Sequence, residues 1–259
     1  MTTGARPLDG RGILITRPAG QAEGLAGRIA ALGGTPVRFP ALVIAPPSNP
    51  EALSVLVAGL SGFDWAVFVS PTSVERFFAS LPADWPAGVS AAAVGGATAR
   101  ALHERGLGQV LVADGGADSE SLMALPAFAD VRGKQVVIVR GEGGREMIAD
   151  TLRTRGATVT YAECYRRARP DVDAGPLIER WCAGGVAAVT VTSREVFANL
   201  ADLLGEAGAD LLRHTPLFAP HPRIADAARQ WGVLDTMVTP PGDDGLVAAL
   251  ADWFNDRHG

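Results

Sequence analysis

Residues Gly133 to Arg167, GKQVVIVRGEGGREMIADTLRTRGATVTYAECYRR, decide how the chain folds. Gln135 to Arg140 is a short β-branched run, long enough for a buried parallel strand and too short for a helix. It breaks into Gly141-Glu142-Gly143-Gly144, a loop with little side chain and many free backbone N–H groups. Arg145 to Arg155 then has helical spacing, with Met147, Ile148, Thr151 and Leu152 on one face, and Gly156 stands where a left-handed cap is wanted. A second strand runs from Thr158 through Tyr161 toward Tyr165. A strand, a glycine loop and a helix start make an anion-receiving arrangement, because unpaired N–H groups and the helix dipole point into the loop. The same residues also satisfy a plain tight βα turn. Two nucleotide motifs are excluded. A dinucleotide fingerprint needs a third glycine where Glu146 stands, and a P-loop needs Gly-Lys-Ser/Thr after the strand, whereas Gly133-Lys134-Gln135 precedes it.

The stretch has a partner earlier in the chain. Gly12 to Arg17 (GILITR) reads as a strand, and Gly20 to Leu32 as a helix closed by Gly33-Gly34. Gly10 matches Gly133, Arg17 matches Arg140 and Gly33 matches Gly156, each pair 123 positions apart (133 less 10 for the first). Val37 to Ile44 follows as one extended piece, the counterpart of the segment carrying Tyr161 and Tyr165. Helix Glu51 to Leu60, strand Trp65 to Val69, the turn Ser70-Pro71-Thr72 and helix Ser73 to Leu81 come next. Strand Val186 to Val191, Thr192-Ser193-Arg194 and helix Glu195 to Leu204 repeat the last three at the same offset. Strand Ala91 to Val94, Gly95-Gly96-Ala97-Thr98 and a helix to Arg105 are matched by Pro216 to Ala219, Pro220-His221-Pro222-Arg223 and a helix to Trp231. Val110 to Ala113 and a helix from Asp118 pair with Thr236 to Thr239 and a helix from Asp243.

A period this long is a duplicated domain rather than a solenoid. Each copy is a run of βα units, which requires parallel strands with helices on both faces. The fold class is therefore α/β: two flavodoxin-like or Rossmann-like lobes with parallel sheets, related by internal duplication. Ligands of such sheets bind beyond the carboxyl ends of the strands. The loops there are rich in hydroxyls, glycines and arginines, and no Ser/His/Asp set, metal-ligand cluster or spaced carboxylate couple stands among them. The arrangement suits an anionic ligand held by many hydrogen bonds.

The 259 residues suffice for two cores, and 47% hydrophobic residues with a formal charge of −5 describe an ordinary soluble protein. No Lys/Arg run long enough for a nucleic-acid face is present. The first residues, MTTGARPLDGRG, lack the apolar core of a signal peptide, and no segment reaches membrane-spanning length. Cys164 and Cys182 are too few for a disulfide framework or a zinc site. A cytoplasmic location with reduced thiols is the expectation.

The ordered set TRPAGQ (Thr16 to Gln21), FVSPTSV (Phe68 to Val74), VGGATA (Val94 to Ala99), SESL (Ser119 to Leu122), VIVRGEGGRE (Val137 to Glu146) and YRR (Tyr165 to Arg167) resembles the uroporphyrinogen-III synthase family across nearly the whole chain. The chain departs from that pattern at Pro220-His221-Pro222-Arg223, where the family has a Ser/Thr-rich turn, and at Gly242-Asp243-Asp244. The resemblance implies an enzyme, a cyclising lyase of tetrapyrrole biosynthesis. Its substrate is hydroxymethylbilane, a linear tetrapyrrole with eight carboxylates, which loses its terminal hydroxyl and closes through a spiro intermediate with inversion of ring D. No metal or organic cofactor is implied. Catalysis is then mainly conformational, folding the substrate so that the substituted carbon of the last ring attacks.

The resemblance also implies that the first βα unit packs with the C-terminal half. Residues 1–35 with 170–259 form one lobe and residues 46–158 the other. Two extended segments, 36–45 and 159–169, cross between them, and substrate sits in the cleft. Tyr165 corresponds to the family tyrosine beside the cleft, a proton donor to the departing hydroxyl; by spacing alone it is a strand tyrosine. Arg17, Arg145 and Arg194, with the N–H groups of Gly141, Gly143 and Gly144, are candidate carboxylate binders. Ser70, Thr98 and Ser193 match cleft hydroxyls and equally suit helix caps. Arg166 and Arg167 read as surface charges, and His221 as structural. The partner is a small polycarboxylate, with neither nucleic acid nor membrane involved. The protein is expected to be a monomer in transient contact with the preceding pathway enzyme. A two-lobed binding module for an anionic small molecule, without chemistry, would share the fold and the glycine loop.

Overall fold

The structure, a computed structural model, describes residues 6–82, 84–113 and 118–256. In chain order these form β1 (Gly12–Ile15), α1 (Glu23–Ala31), β2 (Thr35–Arg38), β3 (Val43–Ala45), α2 (Pro50–Ala58), β4 (Trp65–Phe68), α3 (Pro71–Ala79), β5 (Ser90–Ala93), α4 (Gly96–Glu104), β6 (Val110–Val112) and α5 (Ser119–Met123). There follow β7 (Gln135–Gly141), α6 (Met147–Thr154), β8 (Thr158–Ala168), α7 (Gly175–Cys182), β9 (Ala188–Thr190), α8 (Arg194–His214), β10 (Leu217–Ala219), α9 (Pro222–Trp231), β11 (Thr236–Val238) and α10 (Gly242–Asn255). The chain divides into two compact units, Met1–Val43 with Ala168–Gly259, and Ile44–Arg167.

The first unit carries the sheet β11-β10-β9-β1-β2 and the second the sheet β3-β8-β7-β4-β5-β6. Under the repeat, β1 corresponds to β7, β2 to β8, β9 to β4, β10 to β5 and β11 to β6. The two strand orders then coincide, with β3 added at one edge of the second sheet. Each sheet therefore takes its first βα unit from one half of the sequence and its remaining strands from the other. β1 lies parallel between β2 and β9, and β7 parallel between β4 and β8. The matched glycines share a backbone conformation as well, φ 87° at Gly33 and 88° at Gly156.

Alternate strand residues feed opposite faces of the second sheet, as the pleat requires. Ala66, Phe68, Ala91, Ala93, Val137 and Val139 pack with Leu53, Val57, Phe77 and Leu102 from α2, α3 and α4. Val67, Ala92, Val136 and Ile138 pack with Leu122, Met123, Ile148 and Leu152 from α5 and α6. Burial on both faces is why these strands read as unbroken aliphatic runs. In the first unit Ile13, Ile15, Ala188 and Phe218 meet Leu25, Ile29, Leu246 and Leu250 of α1 and α10, the helices equivalent to α6 and α5.

One expectation is corrected, and two helical stretches go beyond the expectations. The extended piece expected over Val37 to Ile44 is interrupted between Arg38 and Val43, and β2 and β3 join different sheets; the Phe39 and Ala41 N–H groups still donate to Ile15 and Thr16, and beyond them the chain leaves β1. The helix expected over Glu195 to Leu204 does end at Gly205 (φ 55°, ψ −157°), and a second helical stretch that was not anticipated runs on from there to His214. A helix at Gly175–Cys182 was not anticipated, although Leu177 and Trp181, four apart, are its buried face.

Phe68 has no exposed surface and meets Phe77 edge-on with ring centroids 5.6 Å apart. Phe68→Ala is expected to cost about 3–5 kcal/mol, seen as a lower urea midpoint for loss of the second unit's signal; an unchanged midpoint would remove this ring from the core.

Candidate functional site

β7 and β8 slip by one residue where β7 ends: Arg140 opposes Glu163 but Gly141 opposes Tyr165. The unpaired residue is Cys164, and an insertion of this kind re-aims the side chains beyond it. The Glu142 N–H donates to the Tyr165 carbonyl at 2.8 Å. The Tyr165 ring, 5% exposed, lies directly over Gly141. A Cβ on Gly141 would stand 2.6 Å from ring atom Cε2 and 2.7 Å from Cζ, so this close approach admits glycine alone. The Tyr165 hydroxyl is 3.4 Å from Ser70 Oγ. Tyr165 and the glycine loop Gly141 to Arg145 line a cavity of about 400 Å³ at the carboxyl end of the second sheet, with Arg140 and Arg167 also on its wall.

Ser70 is fixed by the helix it starts. Its Oγ accepts the Ser73 N–H at 3.1 Å while Ser73 Oγ accepts the Ser70 N–H, and Pro71 supplies the preset φ of the first turn. The cap and the contact with Tyr165 use the same oxygen.

Gly143 and Gly144 are left-handed, at φ 72° and 113°, which holds the loop in a shape other residues resist. They delay α6 to Met147, two residues later than expected. Glu146 stands just before α6. Its carboxylate accepts from Arg140 Nη1 at 3.0 Å and from the Tyr161 hydroxyl. The Tyr161 hydrogen bond first, then the one from Arg140, holds the Glu146 carboxyl below the usual carboxylate range. Burial first, then bonding to Glu146, pushes the Tyr161 phenol up.

Arg140 sits 7% exposed beneath the loop. Its guanidinium also meets Glu163 at 3.5 Å, reaches the Arg145 carbonyl at 3.5 Å and lies 4.1 Å from the centre of the Tyr161 ring. Its buried Nε has no partner among the described residues.

The sequence-derived site residues divide between the units. Tyr165, Ser70, Gly141, Gly143, Gly144 and Arg145 come together in the second. Thr98, in the same unit, is buried within α4. Arg17, Ser193 and Arg194 belong to the first unit. There the Arg17 guanidinium is engaged by Asp243 at 2.7 Å, Ser193 caps α8 by accepting the Val196 N–H at 3.1 Å, and Arg194 is exposed. Asp243 and Asp244, which interrupt the family pattern, hold Arg17 and Arg28. His221 caps α9 through Nδ1, which accepts the Arg223 N–H at 3.1 Å.

Sequence reasoning gave no role to Arg140, Glu146 and Tyr161, and read Arg167 as a surface charge; it is exposed, and it also lines the cavity. A cation ending the run VVIVR was the signal for Arg140. The step of two from Tyr165 was the signal for Arg167.

Among the described residues no helix is long and apolar enough to cross a membrane, and no group of three or more His, Cys, Asp and Glu is placed to hold a metal ion. Two parallel α/β units of equivalent topology, one bearing a small-molecule cavity at its strand ends, define a duplicated α/β protein of the doubly wound class. A family model described as uroporphyrinogen-III synthase HemD matches residues 23–248. The chain is 35% identical over 243 residues to the uroporphyrinogen-III synthase of Escherichia coli (strain K12), covering 92% of this chain and 99% of that protein. It is 34% identical over 244 residues to the one from Salmonella typhimurium, covering 92% and 99%. The chain belongs to the uroporphyrinogen-III synthase family, a family of lyases in tetrapyrrole biosynthesis. Two solved structures share the fold. A mutant uroporphyrinogen III synthase from Thermus thermophilus aligns with a TM-score of 0.57 at 23% identity, over 95% of this chain and 98% of that one. The uroporphyrinogen-III synthetase of Helicobacter pylori 26695 aligns with a TM-score of 0.57 at 12% identity, over 94% and 99%.

Gly141→Ala is expected to fold and to lose most turnover, because the added methyl must displace the buried Tyr165 ring. Wild-type turnover in that variant would show the ring position to be unimportant. A second outcome concerns thiols. Cys164 donates to the Arg140 carbonyl at 3.2 Å, and burial pushes its thiol up to about 12, whereas Cys182 is exposed. A thiol reagent at pH 8 should modify Cys182 alone in the native protein and both after unfolding, because the thiolate is the reacting form; mass mapping of the labelled peptides checks this.

Proposed function

We propose that this chain cyclises hydroxymethylbilane to uroporphyrinogen III, releasing the terminal hydroxyl as water and inverting the last ring. The observation that carries the reading, on top of family membership, is that Tyr165, its hydroxyl 3.4 Å from Ser70 Oγ, lines the same cavity as the glycine loop. A neutral phenol can donate a hydrogen bond to the departing hydroxyl, and Ser70, itself fixed by its helix, orients the phenol. Gly141 supports the ring from behind. Gly143 and Gly144 shape the loop that presents Arg145 to a substrate carboxylate. Arg17, Thr98, Ser193 and Arg194 belong to the same reading as further binding groups. For Arg17 this requires substrate to compete with Asp243, and for Thr98 it requires exposure of a buried hydroxyl.

The reading carries with it a cytoplasmic monomer that takes its unstable substrate in transient contact with the enzyme that makes it, and needs no cofactor. It retains the division into residues 1–35 with 170–259 and residues 46–158, linked by 36–45 and 159–169. A binding module without chemistry would leave hydroxymethylbilane to close unaided to isomer I. Freshly prepared hydroxymethylbilane is therefore incubated with the protein and the isomers are separated; isomer I alone would end the enzymatic reading.

Tyr165→Phe keeps the ring over Gly141 and removes the hydroxyl. It is expected to fold, to bind product nearly as well as wild type, and to turn over about 100-fold more slowly, the lower end for general-acid assistance. Its mixture should contain a larger share of isomer I. Isomer III formed at the wild-type rate would leave positioning alone to carry the reaction.

A further inference from the structure

Three arginines line the cavity, Arg140, Arg145 and Arg167, with two acids, Asp118 and Glu142. The two acids are already engaged. Glu142 accepts from the backbone N–H and the hydroxyl of Ser48. Asp118 caps α5, accepting the Ser121 N–H at 2.7 Å, and that hydrogen bond holds its carboxyl below the usual range. Arg140 is committed to Glu146 and Glu163. The side chains of Arg145 and Arg167 have no hydrogen-bond or ion-pair partner among the described residues. Among the described residues the cavity wall thus carries two arginines free of ion pairs, beside two carboxylates held by neutral donors, in a volume within the range that holds a small ligand.

Arg167 reaches this wall by strand geometry. It lies two residues beyond Tyr165 on β8, past the irregularity at Cys164, so both side chains leave the same face of the strand. Arg166 leaves the opposite face and is absent from the lining. A YRR sequence therefore holds one arginine that shares the phenol's side and one that does not.

We propose that Arg167 is a substrate-binding residue that, together with Arg145, holds carboxylate side chains of the ligand on the wall beside Tyr165. The identity of the ligand rests on the function proposed above; the existence of a carboxylate site does not. A planar guanidinium takes a carboxylate through two N–H donors, and beside a cavity wall it is screened less than on open surface.

The test uses the full chain and two probes. Benzenehexacarboxylate, a polycarboxylate that needs no turnover, is titrated by calorimetry into wild type and into the Arg167→Ala, Arg167→Lys, Arg145→Ala and Arg166→Ala variants. Hydroxymethylbilane kinetics are then measured on the same proteins. Arg167→Ala is expected to weaken benzenehexacarboxylate about 5–50-fold, with its melting temperature unchanged because the side chain is exposed. Arg167→Lys should fall between that variant and wild type, Arg166→Ala should bind as wild type, and KM should rise in Arg167→Ala more than kcat falls. A loss below threefold in Arg167→Ala, an equal loss in Arg166→Ala, or no binding by wild type each overturns the proposal. Wild-type protein that binds benzenehexacarboxylate through Arg167 yet leaves hydroxymethylbilane to form isomer I would sink the proposed function and leave this site standing.

Discussion

A charged guanidinium sits almost wholly out of water at the end of β7, and the shape of the site follows from the need to neutralise it. Removing a cation from water costs several kcal/mol unless it is paired. Arg140 is paired three ways, with the carboxylates of Glu146 and Glu163 and with the face of Tyr161. Glu146 is the last residue before α6 and Arg145 supplies one of the carbonyls the guanidinium reaches, so the far end of the glycine loop is tied to the sheet. The near end is tied by Tyr165, whose carbonyl takes the Glu142 N–H and whose ring leaves no room for a side chain at Gly141. Between the two ties lie Gly143 and Gly144, whose left-handed conformations let a short loop span them.

Arg17 is the repeat's counterpart of Arg140, and the contrast between them shows how one scaffold came to serve two ends. Arg17 follows β1 by two residues, Arg140 is the last residue but one of β7, and both meet an acid. Arg17 meets Asp243 from α10, the helix equivalent to α5, whereas Arg140 meets acids from its own βα unit. Ser70 and Ser193 are likewise equivalent caps, yet only Ser70 has a phenol beside it. In the first unit Asp243 and Asp244 take Arg17 and Arg28. The second leaves Arg145 and Arg167 without acids among the described residues.

The scaffold was legible because it rests on local rules. Aliphatic runs of strand length, glycines at left-handed caps and a constant 123-residue offset each leave a mark in the sequence, and these lead to parallel sheets covered on both faces. Gly141 to Gly144 were legible as a loop for the same reason. The parts that were not legible depend on pairing at a distance. No local pattern in the extended piece before Pro46 says that β2 and β3 belong to different sheets; only the family resemblance implied that the segment crosses between lobes. Cys164 reads as one more strand residue until the ladder of β7 shows it to be skipped. The place of the Tyr165 ring over Gly141 depends on that same slip, so it could not be read from either strand alone. Thr98 looks like Ser70 in sequence, but its place inside α4 turns it into the unit and buries it.

The strand order also bears on the sequence of events during synthesis. The second unit, Ile44–Arg167, is continuous and has all its strands once β8 has left the ribosome. The first unit is not: β1 occupies an interior position between β2 and β9, so the strand made first waits for one made some hundred and seventy residues later, Ile13 for Ala188. Closing so long a loop is slow, although the added entropic cost grows only with the logarithm of its length. Vectorial translation therefore completes the inserted unit while the leading segment of its host is still an exposed aliphatic ribbon, GILI and TPVR with one helix between them, and the interval in which that ribbon can misassociate is set by the length of the insertion.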